Sequence, residues 1–156
     1  MKSPARRGVL KTLEEGHLQG VTTAILFGEI RYAYLREDKL GFEIARAAIE
    51  AEVNLRVIAV TATLAVHAAE LRRKYYSKKN VFSNNDGLYL ATGLAEKADL
   101  IITTDPHLLN VRELKTMPPT NTGKIAVKCL MRPNLKLEDR QSKTIVTVLD
   151  QSISAK

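Results

Sequence analysis

From residue 3 to residue 110 the chain alternates two kinds of segment: stretches with apolar residues at helical spacing, and short β-branched apolar runs. Nothing else in the sequence constrains the fold as strongly. Strands separated by helices of ten or more residues cannot close as hairpins, so they pair in parallel through right-handed crossovers. The expected architecture is therefore α/β: three layers, α/β/α, around a central, mainly parallel sheet. At 156 residues the chain is long enough for one well-packed core and short for two.

The pattern places the elements. Ser3 caps a helix over residues 4–13, with Pro4 at its first position and Ala5, Val9, Leu10 and Leu13 on one face. Gly20 and Val21-Thr22-Thr23 read as a strand, and Leu26, Ile30 and Ala33 mark a helix reaching about Arg36. A further amphipathic helix covers residues 41–52 through Phe42, Ala45, Ala48 and Ile49, and an apolar strand covers 55–60. Thr61 caps a helix over 62–76, Ser83 opens another to about Lys97, and residues 99–103 form a strand. After Leu114 the pattern changes: Met117-Pro118-Pro119-Thr120-Asn121-Thr122-Gly123 is a turn-rich linker, with candidate strands at 124–130 and 144–149. The expected division is an α/β core over 1–116 and a linker with C-terminal strands over 117–156, packed on the same domain.

With 24 Lys and Arg against 17 Asp and Glu, the formal charge of +7 favours polyanionic partners, nucleic acid first among them, or simply a soluble basic surface. Arg72, Arg73, Lys74, Lys78 and Lys79 concentrate that charge at a helix C-terminus, where cations suit the helix dipole and can equally hold phosphates. The lone Cys129 suits a reducing compartment. No run approaches the roughly 18 apolar residues that span a bilayer, and the first residues lack a signal-peptide core, so a soluble, cytoplasmic protein without a membrane partner is expected.

Three acids stand out. Asp105 follows the strand Leu100-Ile101-Ile102-Thr103, at the carboxyl end where open α/β sheets bind ligands; Asp before Pro106 is also a good helix N-cap. Ser83-x-x-Asp86 has capping-box spacing, yet Asp86, Leu90 and Leu94 recur by fours, which aligns the carboxylate with core-facing leucines. Glu29 lies among Leu26, Ile30 and Ala33 on the face its helix should bury, where a carboxylate requires a partner. Acids of this kind, without a Cys/His set at zinc spacing, suit a hard cation such as Mg²⁺ or Mn²⁺. A basic protein with an acidic metal pocket has what a metal-dependent nuclease needs. His67, within Ala65-Val66-His67-Ala68-Ala69, reads as a packed or snorkelling histidine; His107 follows Asp105 closely enough to approach the same pocket. No phosphate loop or nucleophile elbow is present.

Residues 57–109 resemble PIN-domain proteins, especially the VapC-like toxins of toxin–antitoxin modules. The likeness rests on Asn85-Asp86-Gly87-Leu88-Tyr89-Leu90-Ala91-Thr92-Gly93-Leu94-Ala95 and Ala98-Asp99-Leu100-Ile101-Ile102-Thr103-Thr104-Asp105. Upstream, Val21 through Glu29 is similar to the family's second strand and the helix carrying its glutamate. The resemblance implies that Glu29, Asp86 and Asp105 are the second, third and fourth metal-binding acids, with Thr103 as the accompanying hydroxyl residue. It further implies an Mg²⁺- or Mn²⁺-dependent endoribonuclease, homodimers, and an antitoxin partner if the protein is a toxin.

The departure lies at the start, where the family's first strand, ending in Asp-Thr-Asn or Asp-Thr-Ser, is missing. A truncated start, loss of the strand, or its supply from elsewhere would each account for this. The segment Thr144-Ile145-Val146-Thr147-Val148-Leu149-Asp150-Gln151-Ser152-Ile153 is a candidate for the last: a permuted or replaced edge strand carrying Asp150 as the missing acid. Two alternative functions stay open: a catalytically impaired RNA-binding or protein-interaction module of the same family, and an unrelated α/β phosphoesterase acting on a smaller substrate.

Overall fold

The computed structural model describes Val9 and residues 11–34, 39–119 and 143–147, the last five and Lys39 by backbone alone. The elements run β1 (Leu18–Thr23), α1 (Ile25–Tyr34), α2 (Lys39–Ala51), β2 (Leu55–Ile58), α3 (Ala62–Tyr75), α4 (Asn84–Ala95), β3 (Leu100–Ile102), a 3-10 turn (Leu108–Asn110), β4 (Lys115–Met117) and β5 (Lys143–Thr147). Val9 and residues 11–14 are helical, as the pattern of Val9 and Leu13 predicts; Ser3 and Pro4 lie outside the described residues, as does the candidate strand 124–130.

The sheet has the order β2-β1-β5-β3-β4 and every recorded pairing is parallel. The C-terminal strand therefore joins the sheet, but the expectation of an edge position is corrected: β5 is the middle strand. It sets Ile145 against Gly20 of β1 on one side and Leu100 of β3 on the other. The physical reason is in its composition. Thr144-Ile145-Val146-Thr147 is β-branched throughout, the near-continuous pattern of a parallel strand covered on both faces rather than the alternation of an exposed edge. Without β5, β1 and β3 would each leave a row of backbone donors and acceptors open in the core.

Strand β3 shows the layers directly. Ile101 packs with Leu64, Ala68 and Leu71 of α3 and with Leu88 to Ala91 of α4, whereas Leu100 and Ile102 pack with Val9, Leu13 and Leu18. Alternate side chains thus feed two cores on opposite faces, and all three residues are buried. Helices α3 and α4 approach closely at Gly87, where a Cβ would stand 2.5 Å from the carbonyl oxygen of Ala68. Two cation–π contacts tie α1 to α2: Arg31 over Phe42, 5.3 Å from the ring centre, and Arg46 over Phe27. Phe42, Ala45 and Ile49 are half-buried as their spacing predicts, but Ala48 is exposed.

The expected helix from Pro106 is only the short 3-10 turn. Asp105 O accepts from Leu109 N at 3.1 Å, but the chain must enter β4 at Lys115, which leaves no room for further turns.

Candidate active site

In an open parallel sheet, ligands bind outside the carboxyl ends of the strands. Here those ends belong to β1, β5 and β3, and three short connections bring acids towards them. Helix α1 begins two residues after Thr23 and carries Glu29 in its second turn; Asp105 follows β3 by three residues; Asp86 sits in the first turn of α4.

Asp86 is held by the capping box its spacing predicts. Its Oδ2 accepts from Ser83 N at 2.6 Å, while Asp86 N donates to Ser83 Oγ at 3.1 Å. The residue is buried, at 7% exposure. Burial pushes its carboxyl above the usual aspartate range; the Ser83 hydrogen bonds oppose this, the charge of Asp105 adds to it, and His107 draws it back. Asp86, Asp105 and His107 therefore share one electrostatic neighbourhood, although they come from two separate stretches of chain.

Asp105 is half-buried and shaped locally. Thr103 Oγ1 accepts from Asp105 N at 3.0 Å, and Asp105 Oδ1 accepts from His107 N at 2.7 Å, the cap-like bond expected of Asp before Pro. Thr103 itself is buried, anchored by its N–H to Met117 O, so its hydroxyl sets the turn that presents Asp105. The hydroxyl oxygens of Thr23 and Thr104, at the ends of β1 and β3, are buried with no hydrogen-bond partner, and so is that of Thr22. A buried unpaired hydroxyl costs on the order of 1–3 kcal/mol, which a bound water or ligand group would recover.

Glu29 is half-buried, and α4 supplies hydrogen bonds to both its oxygens: Asn85 Nδ2 donates to Oε1 at 2.8 Å and Tyr89 Oη to Oε2 at 2.7 Å. Tyr89 is buried, and its hydroxyl is pushed well above the ordinary tyrosine range by burial first and then by the Glu29 charge, so it stays a proton donor. Sequence reasoning missed both residues. The available signal was that Asn85 and Tyr89 are four apart, on one face of the helix that carries Asp86.

The basic cluster divides. Lys74 Nζ pairs with Glu113 Oε1 at 2.6 Å; burial would raise Glu113, but its hydrogen bonds from Lys74 and Tyr75 outweigh that and hold it below the usual range. Arg72 stacks over Tyr76 at 4.9 Å. Arg73, Lys78 and Lys79 are exposed, and Lys78 and Lys79 sit at the tip of a turn closed by the Ser77–Asn80 bridge. Asn80 fastens that turn to the acidic end of the sheet, since its Oδ1 lies 2.5 Å from His107 Nδ1 and its Nδ2 donates to Tyr75 O. His67 is half-buried on α3 and takes no part in this arrangement. Asp150 lies outside the described residues; β5 ends three residues before it.

Among the described residues, no group of three or more acids, histidines or cysteines is close enough to form a ready-made metal cage. Nor is any described helix long and apolar enough to cross a membrane.

The five-stranded parallel sheet, with helices packed against it, defines an α/β domain. Comparison with protein families identifies it further: residues 2–114 match the PIN domain, and the chain belongs to the PIN-domain family. PIN domains are generally nucleases. Comparison with curated proteins and with solved structures found no match.

Proposed function

We propose that the protein is a metal-dependent endoribonuclease, with Glu29, Asp86 and Asp105 as metal-binding catalytic acids and Thr103 supporting Asp105. The observation that carries this reading is the placement of Asp86 beside Asp105: two carboxylates from distant stretches share one neighbourhood at the ligand-binding edge of the sheet, where the charge of Asp105 adds to the burial that opposes ionisation of Asp86. A buried carboxylate beside a second, half-buried one is stabilised by a cation.

The donor set fits Mg²⁺ or Mn²⁺. All three groups are hard oxygen donors, and Mg²⁺ usually keeps several waters and takes one or two carboxylates, so a pre-formed three-acid cage is not required. Bound there, the ion would supply an activated water and neutralise charge on the leaving oxygen. The protein's own residues hold the acids in place: Ser83 orients Asp86, Thr103 and the His107 amide orient Asp105, and α4 orients Glu29. Arg73, Lys78 and Lys79 would hold the RNA backbone, with a salt-dependent affinity.

Asp150 completes the acidic set in this reading. It follows β5 by three residues, just as Asp105 follows β3, and β5 runs parallel between β1 and β3. The chain then folds as one domain, in a permuted arrangement whose central strand and a further acid come from the C-terminal segment. A cytoplasmic toxin acting as a homodimer under control of an antitoxin is the biological setting this suggests.

One rival, an RNA-binding member without cleavage, is favoured by the spacing of the acids, no three of which stand together among the described residues. A single assay separates them: cleavage of single-stranded RNA with Mg²⁺ or Mn²⁺ by wild type, Asp86→Asn and Asp105→Asn. Metal-dependent cleavage lost in both variants is expected. Cleavage that survives both substitutions refutes the assigned site, and binding without cleavage by wild type selects the rival.

A further inference from the structure

We infer that Tyr89 and Asn85 are positioning residues for the Glu29 carboxylate, locking α1 to α4 so that one helix orients two of the three acids. This rests on the metal-site reading above and adds residues that reading does not require.

Four side chains on a single stretch of α4 and its cap divide the work. Ser83 holds Asp86, while Asn85 and Tyr89, one turn apart, hold Glu29 across 56 and 60 residues of sequence. The contact to Tyr89 is made at 1% exposure, where a hydroxyl cannot find water and must meet a protein acceptor. Glu29 has the opposite freedom. A half-buried glutamate has three rotatable side-chain bonds, so holding it in one orientation costs conformational entropy. Two donors from one rigid helix face supply that orientation, one to each oxygen.

Both donors are neutral, so they fix the direction of the carboxylate without cancelling its charge. A carboxylate has about four lone-pair sites on its two oxygens, more than these two donors occupy. This is the arrangement by which outer-shell groups orient metal-binding carboxylates, and removing such a group typically lowers metal affinity by about 10–100-fold. It also explains why the buried tyrosine lies beside Asp86: any shift of α4 moves both acids together.

The test is a double-mutant cycle on Mn²⁺ binding, measured by electron paramagnetic resonance with the full chain and no RNA present. Tyr89→Phe should weaken Mn²⁺ binding about tenfold in the wild-type background and leave it unchanged in the Glu29→Gln background. Asn85→Ala should show the same dependence on Glu29, and it serves if Tyr89→Phe fails to fold. Equal losses in both backgrounds would assign Tyr89 a merely structural role and overturn the inference, as would wild-type affinity in both single variants. If wild type binds no Mn²⁺ that Glu29→Gln weakens, the metal-site reading falls, and this inference with it.

Discussion

Asp86 is asked to do two things that conflict, and substitution can separate them. As a cap it needs only an acceptor for Ser83 N; as a ligand it needs a negative charge, which burial and Asp105 both oppose. Asp86→Ala removes the acceptor and should cost about 1 kcal/mol, the usual loss for a helix cap. For a chain of 156 residues that corresponds to a melting temperature lower by about 2–4 °C. Asp86→Asn keeps an acceptor and removes the opposed charge, so at neutral pH it should melt at or above the wild-type temperature. The pH dependence has a definite sign. Because the folded carboxyl is raised, wild type holds its full stability below the unfolded value of about 3.9 and loses it, relative to the Asn variant, as pH rises through the folded value. Thermal denaturation of the three proteins from about pH 3 to pH 8 tests this. Mg²⁺ at about 100 times its dissociation constant should then stabilise wild type by about 2.7 kcal/mol and the Asn variant far less. If Asn and Ala variants are equally destabilised, or the gap from wild type to Asn does not vary with pH, the account of Asp86 is wrong.

Lys78→Ala and Lys79→Ala should weaken RNA binding and flatten its salt dependence by about one phosphate contact each, whereas Lys74→Ala, whose charge is engaged by Glu113, should change it little; filter binding across salt concentrations checks this. Gly87→Ala should destabilise by about 1–3 kcal/mol in chemical denaturation, because the added methyl meets the Ala68 carbonyl rather than a flexible side chain. Ile145→Pro should abolish cooperative folding followed by circular dichroism, since β5 is the central strand and proline removes a ladder donor from it.

The parallel α/β architecture was legible because helical periods separate each strand from the next up to residue 110, and the crossover rule leaves few topologies. Asp86 and Asp105 were legible for the same local reason: Ser83-x-x-Asp86 and Thr103-x-Asp105 are spacings that short hydrogen bonds impose, and those bonds are present. What could not be read depends on long-range placement. Tyr89 and Asn85, which donate to Glu29, lie more than fifty residues away, so the need for a partner was legible but not which residues meet it. The β-branched run of β5 marks a covered strand, but which strands flank it is a matter of sheet order that local pattern does not encode. The basic cluster looked uniform in sequence, and only the positions of Glu113 and Tyr76 distinguish engaged cations from exposed ones.

The central claim is that the carboxyl edge of this sheet is a divalent-metal site, and the most direct measurement is anomalous diffraction from crystals soaked in Mn²⁺. The account predicts a manganese peak about 2.1 Å from a carboxylate oxygen of Asp86 or Asp105, and its loss in Asp86→Asn crystals. Manganese bound only elsewhere, or a peak at this edge that persists unchanged in the variant, would contradict it.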